Sequence, residues 1–175
     1  MPNEKPEALE PVTRRAYIGL GANLGDPQAT MRVAIEALGS IERTKLIGVS
    51  PFYRSAPVDA HGPDYVNAVA RLDTSLDPYA LFLHLADLEL TLGRKRRSDA
   101  AQGAPRNIDL DLLLVGSLIL RSTPLVLPHP RMQQRAFVLR PLADLDPEVL
   151  IPGHGPVSRL LGNVASQDVS LLPAA

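Results

Sequence analysis

A chain of 175 residues, 45% hydrophobic and 21% charged, has the length for one domain with a proper core. Its formal net charge of −1 offers no bulk electrostatic case for nucleic acid or for an anionic membrane. The absence of cysteine excludes disulfides, thiolate metal ligands and cysteine nucleophiles. No apolar run reaches the ~18 residues of a membrane span. The acidic N-terminus has no apolar signal-peptide core, so a cytoplasmic protein is expected.

Residues 1–14 are polar, without periodicity, and read as a disordered tail ahead of a single domain over 15–175. Arg15 to Leu20 reads as a short strand entering a Gly-Ala-Asn-Leu-Gly turn. Asp26 and Pro27 form an N-cap and N1 pair for a helix whose apolar face is Met31, Ala34, Ile35 and Leu38, ending at Gly39. A second strand is expected over Thr44–Arg54, with Pro51 implying an edge or a bulge. A loop of turn formers separates it from an alternating third strand over Asp64–Leu72.

Asp77 and Pro78 cap a second helix, with Leu81, Leu85, Leu88 and Leu92 as its core stripe and Gly93 as its stop. Glu89 falls in the last turn, where the helix dipole disfavours a carboxylate, and spacing alone makes it a surface charge. A basic segment follows: between Arg94 and Arg106 there are five basic residues and one acidic residue, Asp99. It runs into a fourth strand carrying Asp109 and Asp111. Strand alternation puts both carboxylates on one face, their Cα atoms roughly 6.5–7 Å apart, and turns Ile108, Leu110 and Leu112 to the core. Two adjacent carboxylates repel unless a cation or proton sits between them. A hard divalent ion that bridges to phosphates suits the pair, and the arginines beside it suit polyphosphate. Read singly, the aspartates would be solvent-facing strand residues and the arginines a solvated loop.

Short strands are expected over Leu118–Leu120 and Leu125–Leu127, then a loop through His129 into a helical turn at Phe137 and Leu139. Residues 140–150 show turn and cap spacing, 156–163 a last short helix, and the C-terminal end reads as frayed. The order β-α-β-β-α-β implies an α+β, ferredoxin-like fold, an antiparallel sheet with helices packed on one face. The glycines of Gly19–Gly25 miss dinucleotide-fingerprint spacing, and no P-loop occurs. The four histidines are scattered, and the aromatic cluster of an RNA-binding sheet is missing.

Six segments together resemble the 6-hydroxymethyl-7,8-dihydropterin pyrophosphokinase family. They are Tyr-Ile-Gly-Leu-Gly-Ala-Asn-Leu-Gly-Asp at 17–26, Phe-Tyr-Arg-Ser-Ala-Pro at 52–57 and Pro-Asp-Tyr-Val-Asn-Ala at 63–68. Leu-Glu-Leu-Thr-Leu-Gly-Arg at 88–94, Ala-Pro-Arg-Asn-Ile-Asp-Leu-Asp-Leu-Leu at 104–113 and Leu-Pro-His-Pro-Arg-Met at 127–132 complete them. The resemblance implies transfer of the terminal diphosphate of ATP to the pterin hydroxymethyl group, with ATP and two Mg²⁺ as cofactors. It assigns Asp109 and Asp111 to metal, and Arg94 and Arg106 to the reaction centre. Glu89, Arg97, Leu112, His129 and Arg135 fall at nucleotide positions; Ser55, Ala56, Val58, Tyr65, Asn67 and Phe137 fall at pterin positions.

The physical logic agrees, since a flat heterocycle suits the Tyr65 and Phe137 rings and an amide that donates and accepts, Asn67. The segment Gly93–Pro105 is expected to fold over both substrates. Three departures from the resemblance stand out: no aromatic occurs in Gln102-Gly103-Ala104, Arg97 replaces a common lysine, and Pro130 replaces a common aromatic. Expected partners are the two small-molecule substrates, with no nucleic acid or membrane, and the expected state is a monomer. The rivals are a non-catalytic ferredoxin-like binding module and a pterin-binding relative without catalysis; the latter sits poorly with Asp109, Asp111, Arg94 and Arg106 all being present.

Overall fold

The computed structural model describes residues 12–58, 61–93 and 107–173. The expected tail falls almost wholly outside them, as do Arg94, Arg97, Arg106 and the whole basic segment they belong to. What is described is a mixed α/β chain built on an antiparallel sheet. Strand β1 (Arg14–Ala22) leads to helix α1 (Pro27–Gly39), whose N-cap Asp26 accepts from Ala29 N at 3.0 Å. The expected second strand is divided into β2 (Thr44–Val49) and β3 (Tyr53–Ser55). Pro51, which lacks an N–H for the ladder, lies in the break, and the Ser50 hydroxyl accepts from Val69 N at 3.0 Å.

Both halves pair with β4 (Tyr65–Thr74), which also pairs with β1; β1 pairs with β5 (Asp109–Val115). Helix α2 (Pro78–Thr91) connects β4 towards β5, its N-cap Asp77 accepting from Tyr79 N at 2.9 Å. Gly93 follows with φ 114°, and a side chain there would run into the Asn107 amide. That amide donates to Gly93 O at 3.1 Å, bringing together the residues that flank 94–106.

A hairpin of β6 (Leu120–Ser122) and β7 (Leu125–Leu127) precedes a 3-10 turn at Met132–Gln134 and helix α3 (Ala136–Leu145). The sequence reading stopped this helix near Arg140, ahead of Pro141, yet α3 passes through it. Proline removes the donor that would meet the Phe137 carbonyl. Burial of Val138, Leu139 and Leu142 on one face, each worth about 1.5–3 kcal/mol, outweighs that loss. After the β8 (Leu150–Ile151) and β9 (Gly155–Pro156) hairpin come α4 (Val157–Leu160), a 3-10 turn at Leu161–Val164 and β10 (Val169–Leu171). The expected frayed end is therefore corrected: β10 pairs with β3, Val169 opposite Ser55.

The sheet order is β10-β3-β4-β1-β5, with β2 also on β4. One face, through Ile18, Leu20, Leu72, Leu110 and Leu112, packs against Met31, Ala34 and Leu38 of α1 and Leu81 and Leu85 of α2. The expectation of helices on one face holds for α1 and α2 only. The other face, through Tyr17, Val69, Leu113 and Leu114, packs against α3 and α4. Three polar contacts tie the C-terminal end of α3 to three different strands. Tyr17 Oη donates to Asp146 at 2.8 Å, Tyr53 Oη to Asp144 at 2.6 Å, and Arg71 Nη1 to Leu145 O at 3.3 Å.

Candidate active site

Asp109, Asp111, Tyr65 and Asn67 all lie on the sheet face that α3 packs against. Ile108 just before β5 and Leu110 and Leu112 on it are buried, and Asp109 and Asp111 face the other way, as alternation requires. Across β1, Asp109 lies opposite Gly21 and Asp111 opposite Gly19. On the next strand Gly21 lies opposite Asn67 and Gly19 opposite Val69. Directly opposed residues share a face, so Asp109, Gly21 and Asn67 form one row across three strands. With strands about 4.8 Å apart, the carboxylate and the amide stand roughly 10 Å from each other, with only glycine on the strand between. A Cβ on Gly21 would meet Asn67 Oδ1 at 3.5 Å and the Tyr65 ring at 3.9 Å. The glycine is what keeps that floor open.

At one end of the row Asn67, buried, donates through Nδ2 to Ser55 Oγ at 2.9 Å, which fixes the orientation of its amide. Tyr65 is half-buried two residues earlier on the same face, whereas Ala56 and Val58 are exposed on the loop after β3. At the other end, β5 carries a bulge. Ile18 pairs with Leu112 and Tyr17 with Leu114, leaving Leu113 as the extra residue. Its carbonyl accepts from His129 N at 2.9 Å, and His129 Nε2 lies 3.8 Å from Asp111 Oδ1. His129 Nδ1 is 3.0 Å from Pro130 O, an acceptor only, so Nδ1–H is the donor of that contact.

Arg135 and Phe137 enter from the start of α3, the guanidinium 5.7 Å from the ring centroid. Burial, then the neighbouring Arg131, lower the Arg135 pKa, with Asp111 opposing them. The guanidinium stays charged. Leu112, expected both to face the core and to fall at a nucleotide position, has its side chain buried among core residues on the α1/α2 face, so only its backbone can reach a ligand. Glu89 is corrected. Far from being a surface charge, it is buried, and its carboxylate accepts from Leu110 N at 2.7 Å. Because that N–H points off the sheet edge, alternation directs the backbone groups of Leu112 to the same edge.

Three further residues carry no role in the sequence reading. Asn23, buried, donates from Nδ2 to Pro63 O at 3.2 Å and joins the β1–α1 turn to the segment before Tyr65. Its place in Gly-Ala-Asn-Leu-Gly was the available signal. Arg131 has φ 63° and lies close enough to Arg135 for its charge to lower the Arg135 pKa. Gln167 bonds both sides of Arg135, and nothing in the sequence marks it.

Among the described residues no three acidic, histidine or cysteine side chains converge as a metal cage. Two carboxylates beside open floor fit an ion that takes its remaining ligands from phosphate and water, the habit of Mg²⁺. Nor is any described helix long and apolar enough to cross a membrane.

The model of the 7,8-dihydro-6-hydroxymethylpterin-pyrophosphokinase family matches residues 17–147, more than half of the chain. The 2-amino-4-hydroxy-6-hydroxymethyldihydropteridine pyrophosphokinase of Pseudomonas aeruginosa is 42% identical over 163 residues, 93% of this chain and 99% of that one. The enzyme of the same name from Haemophilus influenzae is 36% identical over 151 residues, 86% of this chain and 92% of its own. Among solved structures, Plasmodium falciparum HPPK-DHPS superposes with a TM-score of 0.70 at 14% identity, which speaks for the fold alone. The match covers 91% of this chain, which spans just under half, 46%, of that one.

Proposed function

The chain belongs to the 7,8-dihydro-6-hydroxymethylpterin-pyrophosphokinase family, and from that membership we propose how its residues divide the work. The activity is transfer of the pyrophosphoryl group of ATP to 6-hydroxymethyl-7,8-dihydropterin, a step of folate biosynthesis. The observation that carries the residue assignment is the row Asp109–Gly21–Asn67, with carboxylates at one end and an amide at the other.

Asp109 and Asp111 hold two magnesium ions together with the ATP phosphates. Bound there, the ions neutralise phosphate charge and make the β-phosphorus more open to attack. His129 and Arg135 hold the nucleotide next to them, and Leu112 presents backbone N–H and C=O to it from the sheet edge. Glu89 acts on that region through β5. Arg94, Arg97 and Arg106 supply guanidinium forks, each able to grip two phosphate oxygens, with Arg94 and Arg106 at the transferred group. Tyr65 and Phe137 offer faces to the pterin ring and Asn67 its amide, with Ser55 keeping that amide in place and Ala56 and Val58 at the rim. The pterin hydroxyl attacks the β-phosphorus, AMP leaves, and catalysis is chiefly positioning and electrostatics.

The ferredoxin-like reading of the core, supported by the β1–α1–β2/β3–β4–α2–β5 order, belongs to the same proposal. So does a single domain over 15–175, supported by the pairing of β10 with β3. The enzyme is read as cytoplasmic and monomeric. The test is to mix protein, ATP, Mg²⁺ and 6-hydroxymethyl-7,8-dihydropterin: AMP and pterin diphosphate in equal amounts are expected. Formation of ADP, or turnover unchanged by a chelator, overturns the assignment.

A further inference from the structure

Helix α3 opens on two residues of the site, yet it lacks a cap of its own. Arg135 occupies the N-cap position at φ −120°, ψ 111°, and makes no side-chain capping bond. Its guanidinium is turned to Phe137 instead. The N–H of Ala136, a residue with 0% exposure, is one of the helix's unpaired first-turn donors. Gln167 meets it. Its Oε1 accepts from Ala136 N at 2.9 Å, and its Nε2 donates to Gln134 O at 2.8 Å. One primary amide thus bonds the backbone on both sides of Arg135, much as a strand partner would.

Gln167 is itself placed by local structure. Its N–H bonds Val164 O at 3.0 Å, ending the 3-10 turn, and two residues later Val169 pairs with Ser55. The segment from Val164 to Leu171 therefore joins the start of α3 to β3. Arg135 and Phe137 lie at one end of that strap and Ser55 at the other.

We propose that Gln167 is a positioning residue, whose amide sets the angle at which Arg135 and Phe137 enter the active site. The idea rests on Arg135 and Phe137 contacting nucleotide and pterin as assigned above. Without the amide, the buried Ala136 N–H loses its acceptor and the backbone around Arg135 relaxes, so both side chains meet the substrates from a wider range of angles. Gln167 touches neither substrate.

The test is a cycle of Gln167→Ala, Arg135→Ala and the double variant, with Phe137→Ala alongside, assayed for KM and kcat with both substrates. Gln167→Ala is expected to raise both KM values about 3- to 10-fold, the range one or two exchanged hydrogen bonds supply. In the Arg135→Ala background its effect on the KM for ATP is expected to shrink below about 2-fold, since the two residues act as one unit. Gln167→Glu keeps the acceptor for Ala136 N but loses the donor to Gln134 O. It should restore part of the loss, and it serves if the alanine variant folds poorly. Full additivity in the cycle, or unchanged KM values in a folded Gln167→Ala protein while Arg135→Ala is impaired, overturns the positioning role alone. Arg135→Ala and Phe137→Ala both behaving as the parent protein overturns the site reading and this proposal with it.

Discussion

The Glu89 carboxylate accepts the backbone N–H of Leu110 at 2.7 Å, midway between the two aspartates of β5. Among the described residues β5 ends the sheet, so this N–H has no neighbouring strand there to bond. A buried side chain of α2 takes the place of a strand and holds the aspartates' backbone from behind.

Glu89→Ala should therefore act on stability and on metal use together. Leaving a buried N–H unpaired costs about 1–3 kcal/mol. A urea midpoint should fall accordingly, and the Mg²⁺ concentration for half-maximal rate should rise. Glu89→Gln, which still accepts, should recover most of both. A stable Glu89→Ala protein with parental Mg²⁺ dependence would contradict the bracing role.

Asp111 is a different case, because its side chain is 51% exposed. Asp111→Ala should leave the urea midpoint within about 0.5 kcal/mol of the parent. Turnover to AMP should nonetheless fall by orders of magnitude, on the order of the contribution of lost metal binding. Near-normal activity at millimolar Mg²⁺ would remove Asp111 from the metal site.

The open floor is testable at Gly21. A Cβ there makes only ordinary contacts, 3.5 Å to Asn67 and 3.9 Å to Tyr65, so Gly21→Ala should fold. Gly21→Val adds two methyl groups over the floor and should raise the KM for the pterin roughly 10-fold or more, in line with a few lost contacts. The KM for ATP should change far less. Equal effects on both substrates would mean that the row of residues does not separate them.

Alkaline pH reports on the far end of α3. Burial first, then the bond to Asp144, push the Tyr53 hydroxyl up to about 12, and the same causes raise Tyr17 beside Asp146. A folded-state value above the ordinary one, about 10, gives stability that is present below pH ~10 and lost as pH rises towards 12. The unfolded chain releases these protons first. Tyr53→Phe should lower the urea midpoint at pH 8 and flatten its decline between pH 10 and 12. An unaltered slope would mean that Tyr53 ionises normally.

Much of the fold was legible because alternation and capping are local. Asp26–Pro27 and Asp77–Pro78 start their helices where the spacing put them, and Leu110 and Leu112 face inward. Long-range compensation was not legible. Pro141 sits inside α3 because the helix buries enough apolar surface to tolerate it, and β10 is ordered by a strand more than a hundred residues earlier. Glu89 shows the same limit within the site. Its helix position argued against a carboxylate, and the reason for one, an edge-strand N–H, lies 21 residues along the chain. Local spacing carries no signal for such a partner.

The bulge at Leu113 has a consequence for length variation. In most of β5, removing one residue would turn the aspartates into the core, since strand faces alternate with a period of two. Position 113 is the exception: without it, Leu112 and Leu114 would continue opposite Ile18 and Tyr17 in regular register. A one-residue gap at 113 is therefore compatible with the register of the sheet, and its penalty falls on the core packing of the Leu113 side chain and on the His129 backbone that the Leu113 carbonyl holds. Related chains lacking this residue should keep both aspartates in place and need another anchor for the histidine.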